Sequence, residues 1–195
     1  RLVSDWSSDV CSSDLTPEAA TEILYRIGGS GEFRSAGQLQ MVDMRTGKPM
    51  PNPTFEMPAN QPAVRVAVRY RDINGVLSAP FESDFDPMAS LLRNQREMLE
   101  RTKTSWLQFG KDHNANLLYY THIMSYRCAI KEALIGYNGA QPGIPLTLPP
   151  CDPANPFSIP HNALPYLRVG PQAKSASIQI TFTDGFTSDV MTFDR

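Results

Sequence analysis

The chain has 195 residues, a formal net charge of −2 and 17 prolines. A chain of this length makes one domain or two small ones and buries a real core. Its balanced charge, with no basic run, excludes the electrostatic footprint of a nucleic-acid binder. No apolar run approaches the ~20 residues of a helical membrane span.

The chain opens on a polar stretch without helical or alternating period, Asp5-Trp6-Ser7-Ser8-Asp9-Val10-Cys11-Ser12-Ser13-Asp14-Leu15. This stretch resembles, residue for residue, the translation of a short-read sequencing adapter. The resemblance implies that residues 1–15 are foreign and stand outside fold reasoning. The native portion is then a metagenomic fragment of a longer bacterial protein, beginning near Thr16. Without Arg1, Asp5, Asp9 and Asp14 the formal charge of the remainder is −2 − (−2) = 0.

Residues 22–27 read as a strand. The glycines from Gly28 to Gly31 supply a turn, and residues 32–35 return as a second strand. Prolines then cluster at 49–62, which predicts a long ordered loop. Residues 63–71 give the cleanest alternation in the chain. Val64, Val66, Val68 and Tyr70 fall on one face, and Arg65, Ala67, Arg69 and Arg71 on the other, as in a strand with one wet face. Asp72-Ile73-Asn74-Gly75 turns the chain and residues 76–81 bring it back.

Asp86-Pro87 is a helix start, and Met88, Leu91, Leu92, Met98 and Leu99 fall on one helical face, so a helix is expected to about residue 103. Residues 106–109 and 117–121 read as strands. Residues 126–137 fit a strand, with a helix as the alternative, since Ala129, Ile130, Ala133 and Leu134 also match helical spacing. A second proline-rich connection covers 142–171. Residues 175–183, an Asp184-Gly185 turn and residues 186–193 form a hairpin with Ile178, Ile180 and Phe182 inside.

The two hairpins invite comparison. Residues 66–72 resemble residues 178–184, and each hairpin then carries a glycine and a serine three residues on: Gly75 and Ser78, Gly185 and Ser188. A tyrosine-bearing strand precedes each, Ile23-Leu24-Tyr25-Arg26 in the first half and Leu117-Leu118-Tyr119-Tyr120 in the second. The pattern suggests a duplicated antiparallel unit. The expected fold is mainly β: two small immunoglobulin-like sandwich units, residues 16–84 and 105–195, joined by a helix over 85–104. In residues 22–33, with Tyr25 and the glycine turn, and in 64–81, the first half resembles the C-terminal sandwich modules of chitobiase-type bacterial enzymes. That resemblance implies an accessory module with no active site of its own.

No nucleophile elbow, phosphate loop, His-Glu-X-X-His or Cys-X-X-Cys motif is present. Cys128 with His122 or His161 is the candidate thiol–imidazole pair of a hydrolase. Cys128 and Cys151 are alternatively two buried thiols, or a disulfide, which we expect if the protein is secreted. His113, His122 and His161 match no zinc spacing. Glu82, Asp84 and Asp86 offer oxygens to calcium but lack the glycine and closing glutamate of a dedicated loop. Trp106, Tyr119 and Tyr120, with Tyr126 and Tyr137, are the candidate platform for a sugar ring. No catalytic residue, metal or cofactor is expected. The sequence points to a non-catalytic structural or interaction module of a larger bacterial envelope or secreted protein, periplasmic or extracellular, with a protein or glycan partner. The alternatives are a carbohydrate-binding accessory domain and a thiol hydrolase using Cys128.

Overall fold

The computed structural model describes residues 2–5, 20–58, 60–113 and 115–195. The chain is mainly β. It divides into two compact units, Arg1–Met88 and Ala89–Arg195.

In the first unit a four-stranded antiparallel sheet runs β3-β2-β7-β8, from β2 (Ala20–Ile27), β3 (Arg34–Ser35), β7 (Val64–Asp72) and β8 (Phe81–Phe85). A two-stranded sheet joins β4 (Gln38–Asp43) to β5 (Lys48–Pro51), and another pairs β6 (Thr54–Met57) with β1 (Leu2–Asp5). The expected loop over 49–62 thus holds two short strands. Prolines 49 and 51 are tolerated because β5 is an edge strand, where a missing N–H breaks no interior ladder. Phe55, Met57 and Val66 form a small buried cluster, with Tyr25 stacked on Phe55 at 4.4 Å.

The second unit opens with α1 (Pro87–Arg101), whose Leu91 and Leu99 are fully buried. A 3-10 turn over Lys103–Ser105 leads to the hairpin of β9 (Gln108–Asp112) and β10 (Ala115–Tyr119). After the short helix α2 (Thr121–Ser125) comes a four-stranded sheet ordered β12-β11-β14-β15. Its strands are β11 (Ile130–Tyr137), β12 (Ile144–Pro145), β14 (Ser175–Phe182) and β15 (Met191–Asp194). β13 (Tyr166–Val169) adds to the β9–β10 hairpin to make a three-stranded sheet. Alternation along β14 puts Ala176, Ile178, Ile180 and Phe182 on one face, all fully buried. They share one core with Leu99, Trp106, Leu107, Leu118, Ile123, Met124, Ala133 and Ile135.

The two four-stranded sheets have the same strand order and the same register. Leu24 pairs with Arg69 as Leu134 pairs with Gln179, and the displacement along the chain is identical in both strands. The same displacement relates the edge pair Leu24–Ser35 to Leu134–Pro145, and Val68–Phe81 to Ile178–Met191. It relates the bulges as well, between Ala20 and Glu22 and between Ile130 and Glu132. The hairpin closures also match. Gly75 and Gly185 follow their turns at φ +84° and +88°, a left-handed backbone that glycine adopts without strain. The Ser78 hydroxyl accepts from the Tyr70 N–H at 3.0 Å and donates to the Ala79 carbonyl, as Ser188 accepts from Ile180 at 3.1 Å and donates to Asp189.

This register corrects two sequence alignments. Residues 66–72 correspond to 176–182, two positions from the match read in sequence. A slip of two preserves the in–out alternation of a strand, so the pattern alone does not expose it. The counterpart of residues 23–26 is 133–136 in β11; the stretch 117–120 belongs to the other sheet. From Ala89 onward helix α1 falls in the second unit, where Gln95 and Leu99 are buried.

Candidate functional site

The aromatic candidates sit in the core of the second unit. Trp106 is 0% exposed, and its indole N–H donates to the Leu99 carbonyl at 2.9 Å. Tyr120 is 6% exposed, and its hydroxyl donates to the Leu164 carbonyl at 2.9 Å. Burial raises the Tyr120 phenol above its ordinary value, so the ring stays neutral and serves as a donor. Neither residue presents a face to a sugar, because both rings are packed in the core of the second unit. Half-buried Tyr119 lies over Gly110, where a Cβ would meet its ring at 2.8 Å, and meets Tyr166 edge-on. Tyr126 contacts His122 and Phe157 edge-on. The five aromatics do not form a common exposed platform.

Cys128 and Cys151 are joined by a disulfide, with Cα atoms 4.8 Å apart. A sulfur in a disulfide has no thiolate to donate, so the thiol-hydrolase alternative lacks its nucleophile in this state. His122 Nε2 is 2.5 Å from the Thr102 hydroxyl, which donates to the Met98 carbonyl. The imidazole therefore donates from Nε2. Burial lowers its pKa below the ordinary value. Two buried polar side chains, Arg127 and Gln95, make four hydrogen bonds to the segments flanking the disulfide. The Arg127 guanidinium, 3% exposed, donates from Nε to the Pro150 carbonyl and from Nη1 to the Met124 carbonyl, both at 3.0 Å. The buried Gln95 side chain accepts from the Ala129 N–H and donates to the Pro156 carbonyl. Disulfide, Arg127 and Gln95 together clamp the proline-rich loop onto the core. The signal for Gln95 was present in sequence: it lies on the apolar face of α1, four residues after Leu91.

In the first unit, the sheet face opposite Val66 carries charge. Arg26 pairs with Glu82 at 3.0 Å, Arg65 with Asp84 at 3.0 Å and Arg71 with Glu22 at 3.1 Å. The Arg65 guanidinium holds the Asp84 carboxyl below its ordinary range. Glu82 and Asp84 thus give oxygens to arginines. Among the described residues no group of three His, Cys, Asp or Glu side chains is arranged to hold a metal ion. Arg26 and Arg69 lie over the Phe33 ring at 4.9 and 5.2 Å. The equivalent face of the second unit bears Ser175, Ser177, Gln179 and Thr181. A groove of about 410 Å³ lies along β15 and β9, lined by Leu107, Phe109, Met191 and Phe193 among others.

No protein-family model matches the chain, and no curated protein matches it in sequence. Among the described residues no helix is long and apolar enough to cross a membrane.

Proposed function

We propose that the chain is a non-catalytic interaction module, built of two repeated sandwich-like units, within a larger bacterial envelope or secreted protein. The observation that carries this reading is the use of its reactive and aromatic side chains. Cys128 and Cys151 crosslink a loop, Trp106 and Tyr120 fill a core, and His122 bonds Thr102. None of these groups is left over for bond-making chemistry. The crosslink also supports an oxidising compartment, periplasmic or extracellular. The matched registers, related by one constant displacement along the chain, support duplication, because unrelated hairpins seldom share a bulge, a turn and a serine closure. The differing outer faces support recognition: the first unit displays arginine–carboxylate pairs, whereas in the second Ser175, Gln179 and Thr181 are half-buried and Ser177 is covered by the loop after β11.

The reading is tested by assaying the purified chain against ester, amide and glycoside substrates and for binding to immobilised chitin and peptidoglycan. No turnover and no saturable glycan binding is the expected result. Turnover that scales with protein and is abolished by Cys128→Ser would establish the thiol enzyme. Saturable binding to a glycan would establish the carbohydrate-binding accessory domain.

A further inference from the structure

The sheets are matched strand for strand, but their inner faces are not equally covered. In the second unit Ala133, Ile135, Ile178 and Ile180 are 3%, 2%, 0% and 0% exposed. Their counterparts in the first unit, Ile23, Tyr25, Val68 and Tyr70, are only half-buried. Farther along the same face Ile27 and Phe81 are 39% and 44% exposed. Much of the cover in the second unit comes from residues 86–129. That segment gives Leu99 near the end of α1, Trp106 and Leu107 after it, Leu118 on β10, and Ile123 and Met124 on α2, while Leu146 and the partly buried Leu148, Ile159, Ala163, Leu167 and Val169 add to the cover from beyond β11. Residues 86–129 run directly into β11, the counterpart of β2.

We propose that the inner face of the β3-β2-β7-β8 sheet is a docking surface for a helix–hairpin–helix segment of the 86–129 kind, joined in cis ahead of β2. This inference rests on the reading of the chain as a repeated module and names the partner of one of its surfaces. Two features of the first unit favour this occupant over an unrelated one. The exposed part of the face is continuous with the Phe55–Met57–Val66 cluster, as the corresponding parts of the second core are continuous with one another. The edge of β6 also already accepts an antiparallel strand. Leu2 pairs with Met57 where Leu118 of β10 pairs with Leu167 of β13, and Met57 and Leu167 are equivalent under the displacement that relates the two sheets. The strand now in β10's place is β1, within the first fifteen residues. The face thus offers the strand edge and the apolar surface that β10, Trp106 and α2 meet in the second unit.

The test is a chimera of the full chain in which a second copy of residues 86–129 replaces residues 1–19 directly ahead of Ala20. Amide exchange in β2 and β7 is expected to slow by at least about tenfold. The emission of the added tryptophan should move to the blue, as for an indole taken out of water. Unchanged exchange together with water-like emission, in a chimera whose second unit keeps its own protection, would overturn the proposal. A second measurement does not depend on the chimera folding: the natural gene is read upstream of Thr16. A frame encoding a tryptophan about two dozen residues before Ala20, within an apolar helix–hairpin pattern, is the expected result. A frame without that pattern overturns it. Neither readout involves catalysis or glycan binding, so failure here and failure of the non-catalytic reading are separately visible.

Discussion

The two four-stranded sheets differ far more in what covers them than in how they are built. Strand order, register, bulge and turn agree position by position, while the inner face is sealed in the second unit and half-open in the first. Backbone pairing is thus compatible with more than one degree of burial: the ladder bonds form in either case, and the apolar area removed from water decides how much each sheet is stabilised. Large-to-small substitutions read this difference most strongly. Ile180→Ala, at 0% exposure, is expected to cost about 2–5 kcal/mol, the range of a filled core site left with a cavity. Tyr70→Ala at the equivalent position should cost roughly 1 kcal/mol, the share left when a side chain is only half-buried. Hydrogen exchange resolved over β14 and β7 checks both values, and equal losses would remove the basis of the comparison.

The disulfide exists on one side only. The first-unit counterpart of Cys151 is Met41, which is 61% exposed in the β4–β5 hairpin. In the second unit the corresponding stretch is pinned across 23 residues of chain. Replacing Cys128 and Cys151 together by serine is expected to destabilise the second unit by about 2–4 kcal/mol and leave exchange in β2 and β7 unchanged. Under denaturing, non-reducing conditions thiol titration should find one reactive cysteine, Cys11. Three would show that the crosslink is absent.

A smaller contrast lies on the outer faces. Gly136 and Arg26 occupy equivalent positions. A Cβ at Gly136 would fall 2.6 Å from the Ala140 carbonyl and 2.7 Å from the Ser177 hydroxyl, because the following loop folds back over β11. Ser177 holds that loop by donating to the Ala140 carbonyl at 2.8 Å. Gly136→Ala is therefore expected to cost about 1–3 kcal/mol through overpacking. Arg26→Ala removes a partly exposed ion pair with Glu82 and should cost about 0–1 kcal/mol. Thermal unfolding of the two variants orders them, and a neutral Gly136→Ala would mean the loop does not lie on the strand.

Much of this architecture is legible in the sequence where periodicity is strong. The alternation of residues 63–71 and 175–183 and the capped apolar stripe of α1 correspond to β7, β14 and α1. Short strands within proline-rich stretches are not legible. β5, β6, β12 and β13 have two to four residues each and are set by their pairing partners more than by their own composition. The candidate site is less readable still. Trp106, Tyr119 and Tyr120 are as compatible with a sugar platform as with a core until their surroundings are known, since aromatics serve both. Arg127 gives no signal in sequence at all. Its burial depends on the Pro150 carbonyl, which the chain brings back from 23 residues away.

The last contrast is in acid, and it follows from where the histidines lie. His113, His122 and His161 all belong to the second unit. His122 is half-buried, with Nε2 bonded to Thr102, and burial disfavours its cation, so its folded pKa lies below the ordinary 6.5. Below that value the unfolded chain binds more protons at this residue than the folded one. Stability therefore rises with pH across that window, and acidification removes it. The first unit has no histidine, and its carboxylates Asp43 and Asp84 are held low, as Asp184 is in the second unit. The Arg45 side chain, and the Arg45 N–H, keep Asp43 below 3.8, and Arg65 does the same for Asp84. Their contribution is present above 3.8 and falls away only in stronger acid. Between pH 7 and 5, protection from exchange, taken relative to the intrinsic rate at each pH, should fall in β11 and β14 while it changes little in β2 and β7. His122→Gln, which keeps a donor and does not titrate, should flatten the response of the second unit. If the slope survives that substitution, a group other than His122 sets the acid sensitivity of the second unit.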